Sequence, residues 1–371
     1  MRIQGKNIVL ILCSVFLALI LFEFLSRSFL PIEARLYGQY NKDVVRQPKP
    51  YVMFGGSPGG VYEGETLNSL GYRGSLPDMP KPAGEYRILL LGGSTVFEGA
   101  PTMATLLEKA FAQGERTDVR CYNFGVVSSV SGQDLARLVF EAVDYDPDLL
   151  IMFNGGNDLF SPLVLDPRPG YPFNFLLYEN NPLLYNDIAE YPTLTLLAFG
   201  SNLMRILAPA YFKERLVRLN RLREEVGFLS ATWKEAVVRI YVNHLGKAHH
   251  ISRAFGAEFI AIFQPAIYFK EVLAEEEQAR FQHNNPALYR EFTSTKDYAL
   301  SMRAGVLKTI QMIQGKQDLK FVDLSDLFKN NPQDVFKDYI HVYQEYNNDI
   351  VKAMYQALQD NFPQLETIDV N

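Results

Sequence analysis

From residue 87 onward, short apolar segments alternate with longer segments of helical periodicity. Short apolar runs bounded by turn residues are typical of buried strands. Strands are predicted at residues 87–91, 119–123, 149–154, 258–263 and 320–324. Helices are predicted at residues 103–113, 132–145, 231–255, 297–314 and 344–360. This alternation predicts an α/β fold in which helices cover both faces of a parallel sheet.

The alternation is interrupted between about residues 160 and 230. The first part of this segment is rich in Pro, Tyr and Phe, and a basic amphipathic stretch follows at residues 213–223. We interpret the segment as a helical insertion over the carboxyl edge of the sheet, a cap or lid. Its basic stretch is interpreted as a surface helix, with a role at a membrane surface as the alternative.

The amino terminus carries an almost wholly apolar segment at residues 8–25, with Glu23 near its end. As a helix it would span roughly 27 Å at about 1.5 Å per residue, which just crosses a bilayer core. Arg2 and Lys6 precede it, and no small-x-small cleavage site follows at once. Residues 1–26 are therefore predicted to be a transmembrane signal anchor, with the globular part outside the cytoplasm, in the periplasm or on the cell surface. A cleaved signal peptide is the alternative.

Residues 27–85 are rich in Gly, Pro and polar residues and are expected to form a linker and irregular loops. The α/β domain is then expected over residues 86–371. The formal net charge of the chain is −6, which does not favour a nucleic-acid partner, because such a partner requires a basic face. Cys13 and Cys121 do not indicate a disulfide framework, and no metal-ligand spacing is present, so neither a metal nor a cofactor is expected.

A Gly-Gly-Ser-Thr turn at residues 92–95 follows the first predicted strand. Glycines allow the chain to turn sharply, and the turn would expose Ser94 at the carboxyl edge of the sheet, where α/β proteins bind ligands. A helix that begins there would favour developing negative charge. Ser94 is therefore a candidate nucleophile, although the tetrapeptide by itself is also typical of a loop or a helix cap.

Three further motifs follow predicted strands, the last of them between the final predicted strand and the final predicted helix. They are Asn-Phe-Gly at residues 123–125, Gly-Gly-Asn-Asp at residues 155–158 and Asp-Tyr-Ile-His at residues 338–341. Each motif alone is typical of a turn, a cap or a strand end. Because the carboxyl ends of parallel strands share one edge, however, all three are expected to converge with Ser94.

The residue types at this edge suit acyl transfer. His341 can act as the base that activates Ser94, and Asp338 can fix the tautomer of His341 from three residues away. The backbone N–H groups of Ser94 and Gly125 and the side-chain amide of Asn157 can donate hydrogen bonds to an oxyanion. We therefore predict a catalytic serine with its base, its orienting carboxylate and its oxyanion hole.

With these motifs, the chain resembles the SGNH hydrolases, the branch of GDSL-type esterases named for its Ser, Gly, Asn and His blocks. The match covers about residues 85–362, and the Gly-Gly-Ser-Thr first block resembles that of membrane-anchored bacterial members. The resemblance implies a flavodoxin-like three-layer α/β/α fold and ester or thioester hydrolysis or acyl transfer. It also implies that Ser94 attacks, His341 is the base, Asp338 orients it, and Gly125 and Asn157 hold the oxyanion.

The lead-in at residues 67–74 also resembles that branch, which makes Asn68 and Arg73 candidates for the pocket rim, with a structural turn as the alternative. Two departures from the family pattern affect the site. Gly93 replaces the usual Asp of the first block, and residues 342–347 are bulkier than the small residues that often follow the histidine. The insertion resembles nothing that would identify a substrate.

The leading hypothesis is a membrane-anchored serine esterase that acts on an acylated small molecule or a cell-envelope polysaccharide. O-acyl transfer to a sugar hydroxyl is the first alternative, since the same acyl-serine intermediate would serve it. A catalytically idle carbohydrate-binding module is the second alternative. The oligomeric state does not follow from the sequence.

Overall fold

The centre of the structure is a parallel sheet of five strands. The strands are β1 (Tyr86–Gly92), β2 (Val119–Gly125), β3 (Leu149–Asn154), β4 (Glu258–Phe263) and β5 (Lys320–Asp323). They pair in the order β2-β1-β3-β4-β5, which is the flavodoxin-like order. The structure is a computed structural model, and it describes residues 5–29, 44–173, 175, 219–284, 286–315 and 317–365.

Helices flank the sheet. Those described are α1 (Gly5–Phe29), α2 (Ser94–Phe97), α3 (Met103–Gln113), α4 (Ser131–Phe140), α5 (Gly156–Val164), α6 (Leu219–Glu225), α7 (Ala231–Ala254), α8 (Glu275–Asn284), α9 (Pro286–Gln314) and α10 (Asn347–Asn361). On the sheet, α3 packs against α10, whereas α7 packs against both α4 and α9. These helices form the outer layers of the predicted α/β/α fold, which is confirmed.

The burial of the strands explains why apolar runs in the sequence predicted their positions. Leu89, Leu90 and Leu91 in β1 are fully buried, and so is every residue of β3. A strand covered by helices on both faces needs apolar side chains on both faces, and a continuous apolar run satisfies that need. All five predicted strands are present, and their ends lie within two residues of the predicted ends.

Some helix bounds differ from the prediction. The helix predicted at residues 132–145 ends at Phe140 and gives way to a 3₁₀ turn, Ala142–Tyr145. The helix predicted at residues 297–314 begins at Pro286, a residue suited to a first helical turn because it has no N–H to leave unpaired.

Residues 44–85, expected to be linker and irregular loops, contain two short hairpins and belong to the same compact unit as the sheet. Arg73 is buried there and pairs with Glu65 at 2.6 Å. It also donates to the carbonyl oxygens of Phe97 and Gly99, at 3.2 and 2.7 Å. This arginine therefore ties the lead-in to the end of α2, directly behind the candidate nucleophile.

The amino-terminal helix α1 belongs to a separate unit. Within its Lys6–Ser26 segment an 18-residue stretch has a mean hydropathy of 3.0, so the helix is long and apolar enough to cross a membrane by length and composition. The unit that carries the sheet takes in residues 44–173 and the described residues from 223 onward. Most of the insertion predicted at about residues 160–230, including the start of its basic stretch, lies outside the described residues.

Candidate active site

Ser94 is the first residue of α2 and follows the carboxyl end of β1. Gly93 before it caps the helix in an extended conformation. A Cβ atom at position 93 would lie 2.9 Å from the side-chain nitrogen of Asn157, closer than real Cβ contacts come. Gly93 stands where the SGNH hydrolases that the sequence resembles usually have aspartate, and a side chain at this position would displace the Asn157 amide.

The predicted Ser, His and Asp side chains are hydrogen-bonded in series. His341 Nε2 lies 2.6 Å from Ser94 Oγ, and His341 Nδ1 lies 2.7 Å from Asp338 Oδ2. The other carboxylate oxygen of Asp338 accepts the backbone N–H groups of Ile340 and His341, both at 2.8 Å. Because Asp338 is held by its own loop, it fixes the ring of His341 in line with the serine.

The environment of the imidazole favours its protonated form. Burial by itself would lower the pKa of His341, but the hydrogen bond and charge of Asp338, together with the charge of Glu98, outweigh burial and raise the pKa. Burial would raise the pKa of Asp338, yet the hydrogen bonds and charge that it shares with His341 lower it below the ordinary value. A histidine with a raised pKa, next to a carboxylate with a lowered pKa, can hold a proton taken from serine.

Asn157 lies in the first turn of α5, next to the Ser94 turn. Its side-chain nitrogen donates to the carbonyl oxygen of Ser129 at 2.8 Å. A primary amide carries two hydrogens, so one N–H of Asn157 fixes the group and the second remains for a ligand. This arrangement suits the predicted role of Asn157 as an oxyanion donor.

Gly125 lies at the carboxyl end of β2, as predicted, but its N–H already has an acceptor within the protein. Its N–H donates to Asn123 Oδ1 at 2.8 Å, and a Cβ at position 125 would lie 2.5 Å from the backbone nitrogen of Phe97. The Asn123 side-chain nitrogen in turn donates to the carbonyl oxygen of Val96 at 2.9 Å. Asn123, in the second sequence block, therefore links the end of α2 to β2. Its side chain also accepts the N–H of Gly125, which is no longer free to bind a ligand. This corrects the expectation that it donates to an oxyanion.

A buried polar network that was not predicted from the sequence supports Ser129, whose carbonyl oxygen accepts the Asn157 amide. Asp134 is fully buried and pairs with Arg137 at 2.5 Å. Its two oxygens also accept Ser129 Oγ at 2.7 Å and the side-chain nitrogen of Asn154 at 2.8 Å. The network holds the Ser129 loop, so it indirectly positions the Asn157 amide. Ser129, Asp134 and Arg137 lie within nine residues of the sequence, but Asn154 comes from β3, so no local motif could have indicated the full cluster.

Asp158 is the neighbour of Asn157 and is also buried. It accepts hydrogen bonds from the backbone N–H and the hydroxyl of Ser131, and Ser131 Oγ lies 2.9 Å from His244 Nδ1. Burial raises the pKa of Asp158 to about 7 despite these hydrogen bonds. Burial also lowers the pKa of His244, to about 4. Asp158 and His244, which both contact Ser131, therefore connect α4, α5 and α7 next to Asn157. They do so without bearing two full charges.

A small pocket borders His341 on the side of α2, and polar side chains line much of it. Glu98 Oε1 lies 3.9 Å from His341 Nε2, and Glu98 Oε2 lies 3.9 Å from Lys337 Nζ. Gln264, at the carboxyl end of β4, is 4% exposed, and within the described structure its side-chain nitrogen has no hydrogen-bond partner. Glu98 and Gln264 were not predicted. The sequence signal for Gln264 was its place directly after a predicted strand.

The two candidate rim residues have structural roles. Asn68 accepts the N–H groups of Leu70 and Tyr72, both at 3.0 Å, and donates to Gly74, which organises its own turn. Arg73 does not line the pocket beside His341 but supports the end of α2 from behind. Within the described ranges, no group of three or more His, Cys, Asp or Glu side chains could hold a metal ion.

No protein-family model matches the chain, and no curated protein matches it. Solved structures do resemble it. A GDSL-like lipase from Bacteroides thetaiotaomicron VPI-5482 is 11% identical with a TM-score of 0.37, and the match covers 74% of this chain and 88% of the lipase. The acetyl xylan esterase AlAXEase is 10% identical with a TM-score of 0.37, over 73% of this chain and 99% of the esterase.

Two observations on the chain itself bear on the family. The sheet has the flavodoxin-like order β2-β1-β3-β4-β5. The first and last sequence blocks meet at its carboxyl edge with Ser94, His341 and Asp338 in hydrogen-bond contact, and the third places Asn157 beside them. In its sheet order and in its serine–histidine–aspartate arrangement, the chain thus resembles the SGNH hydrolases, as its sequence blocks do.

Proposed function

We propose that this protein is an SGNH-type serine hydrolase that cleaves carboxylic esters through an acyl-Ser94 intermediate. The observation that carries the proposal is the hydrogen-bonded series Ser94 Oγ–His341 Nε2–His341 Nδ1–Asp338 Oδ2, with distances of 2.6 and 2.7 Å. A serine hydroxyl is a weak nucleophile unless a base takes its proton, and this geometry supplies that base.

In the first half of the reaction, Ser94 Oγ attacks the ester carbonyl carbon while its proton passes to His341 Nε2. The tetrahedral intermediate carries its negative charge on the former carbonyl oxygen. The N–H of Ser94 at the start of α2 and the second N–H of Asn157 stabilise that charge. The intermediate collapses, and the alcohol leaves with the proton from His341. Asp338 stabilises the imidazolium throughout but does not itself take the proton.

In the second half, water attacks the acyl carbon of Ser94 and gives a proton to His341 Nε2. Collapse of the second tetrahedral intermediate releases the carboxylic acid and returns the proton to Ser94 Oγ. Hydrolysis and acyl transfer differ only in whether water or an alcohol enters at this step. We assign water as the acceptor, and a labelled ester supplied with and without a carbohydrate acceptor distinguishes the two reactions.

We further propose that α1 anchors the enzyme in a membrane as a single pass, with the hydrolase outside the cytoplasm. The length and the apolar surface of α1 support this proposal. The polar lining beside His341 suits a hydroxyl-rich leaving group, since Glu98, Gln264 and Lys337 supply both donors and acceptors. Acyl groups on cell-envelope polysaccharide are therefore the substrate class that we propose.

A fluorophosphonate probe tests the nucleophile directly. We expect the full chain in lipid nanodiscs to be labelled on a single residue, Ser94, because its hydroxyl lies in line with His341 Nε2, whereas Ser131, which also contacts a histidine, is fully buried. Peptide mass spectrometry locates the label, and heat-unfolded protein serves as the control. Folded protein that stays unlabelled, or that carries the label on another serine, would contradict the proposed mechanism and would favour an idle binding module.

Glu98 is expected to contribute, after Asp338, to the position of the acid limb of the pH profile. The base must be neutral to accept a proton, so activity falls as the pH drops through the raised pKa of His341. Replacing Glu98 with Gln removes one of the negative charges that raise this pKa, so the acid limb of kcat/KM should move to lower pH. Rates on a short-chain p-nitrophenyl ester from pH 4 to 9 measure the shift.

The matched control is Glu345→Gln, which removes an exposed carboxylate from the same region of the chain as His341. Its pH profile should overlay that of the wild type. An acid limb that stays in place in Glu98→Gln, or that moves equally in both variants, would show that Glu98 does not act on the histidine.

A further inference from the structure

A second cavity, of about 620 Å³, lies beside the loop that carries His341, and none of Ser94, Asp338 and His341 lines it. Its described walls are mainly apolar. They are formed by Phe160, Leu163, Val164, Phe228, Leu229, Tyr268 and Tyr339, with the hydroxyls of Ser294 and Thr295. A volume of this size lies within the range of small-molecule binding pockets, which are likewise mostly apolar with few polar groups.

The cavity is near the candidate active site along the chain. Phe160 follows Asn157 by three residues on α5, which is about one helical turn. Tyr339 precedes His341 by two residues. The Phe160 ring lies 5.0 Å from that of Tyr268 and 6.0 Å from that of Tyr339, so the three rings form one wall.

The margin of the cavity exposes apolar surface. Val164, Leu229 and Tyr339 are 56%, 45% and 37% exposed, and all three line the cavity. Scattered apolar residues on a surface are ordinary, but several gathered around one concavity are typical of a binding site.

Arg223 on α6 is the only charged residue among the described lining residues. Its guanidinium lies over the Phe228 ring, 4.8 Å from the ring centre. Its Nε is buried and, within the described structure, has no hydrogen-bond partner. A buried donor without an acceptor is costly, so a ligand that supplies the acceptor would be favoured. The planar fork of arginine matches the oxygens of a carboxylate or a phosphate.

We propose that this cavity binds a single-chain amphiphile with an anionic head group, a carboxylate or a phosphate. The alkyl chain lies among the aromatic and aliphatic walls, and the head group accepts hydrogen bonds from Arg223. The site is separate from the triad, and the inference does not depend on the proposed esterase activity.

The single tryptophan of the chain, Trp233, reports on this cavity without a label. It is buried, and its ring lies 4.9 Å from that of Phe228, edge to face. The full chain with Ser94→Ala, held in phosphatidylcholine nanodiscs, is titrated with octanoate, octyl phosphate and neutral octyl glucoside below their critical micelle concentrations. Empty nanodiscs provide the blank, and the Ser94 variant excludes turnover.

We expect a saturable change of Trp233 fluorescence with the anionic amphiphiles, which should bind roughly tenfold more tightly than octyl glucoside. Tighter binding of octanoate would identify a fatty-acid carboxylate as the preferred head group, and tighter binding of octyl phosphate a lipid phosphate. Isothermal titration calorimetry gives the same affinities independently of the fluorescence. The absence of saturable binding by both methods would overturn the proposal, as would equal affinity for octyl glucoside.

Arg223→Gln should weaken binding of the anions roughly tenfold and leave octyl glucoside unchanged, because it removes the charge and keeps most of the size. Arg223→Lys should recover part of the loss, since it restores the charge without the planar fork. Arg239→Gln, an exposed arginine on α7, is the control for net charge. Anion affinities in Arg223→Gln that match those of this control would also overturn the proposal.

Discussion

Replacing Ser94 with Ala is expected to lower kcat on a short-chain p-nitrophenyl ester by about 10⁴- to 10⁶-fold, with little change in KM. The hydroxyl forms the covalent bond of the acyl intermediate, and no other described hydroxyl lies within hydrogen-bond distance of His341 Nε2. The residual rate would come from the oxyanion donors and from substrate binding, which do not need the serine oxygen. Stopped assays at high enzyme concentration measure kcat and KM for both proteins.

Ser57 provides the matched control, because it too follows two glycines, but at the end of the short hairpin strand Met53–Gly55 and not of a strand in the parallel sheet. Ser57→Ala removes the same atom from the unit that carries the sheet and should keep the wild-type kcat. Circular dichroism establishes that both variants are folded. If Ser94→Ala retained more than about a hundredth of the wild-type kcat, the acyl-serine mechanism would be wrong.

The fold could be predicted because its strands are buried on both faces. A strand such as β3, Leu149–Asn154, has no solvent-facing side, so all of it except the terminal Asn154 forms one apolar run. Helix ends were less predictable, since they depend on local capping. The end of α4 at Phe140 follows from the backbone turn of Glu141, which the apolar periodicity of the segment does not indicate.

The Ser94, Asp338 and His341 positions could be predicted because each follows from a local rule. A nucleophile needs a sharp turn after a strand, and a carboxylate three residues before a histidine can reach its ring within one loop. In the structure, Ser94 Oγ lies 2.6 Å from His341 Nε2, and Asp338 Oδ2 lies 2.7 Å from His341 Nδ1. Whether they act as proposed is what the variants test.

Gly125 shows where a local rule fails. A glycine after a strand allows close approach of any group, and the sequence does not say which group approaches. Here the neighbour is the α2 backbone, and Asn123 takes the N–H that an oxyanion would need. The Asp134 network could not be predicted for a related reason: Asp134 and Arg137 lie about one turn apart on α4, but Asn154 joins them only when α4 packs on the sheet.

Replacing Asp338 with Asn should lower kcat by about 10⁴-fold while the loop keeps its shape. In the native loop one oxygen of Asp338 accepts two backbone N–H groups, and the other accepts His341 Nδ1. The amide oxygen of Asn would keep the backbone hydrogen bonds, so its NH₂ group would face Nδ1. A donor at that position forces the imidazole proton onto Nε2, the nitrogen that must take the proton of Ser94.

In this variant the fall in kcat reports on the tautomer of His341, and the position of the acid limb reports on the lost charge of Asp338. Loss of the Asp338 charge also removes a cause of the raised pKa of His341, so the remaining activity should show its acid limb at lower pH. Asp349→Asn, which neutralises an exposed carboxylate on α10, is the control and should keep both kcat and the limb. An Asp338→Asn enzyme within tenfold of wild type would mean that the histidine finds its tautomer without the carboxylate. The 2.7 Å contact would then be structural, and the base would owe its orientation to the loop alone.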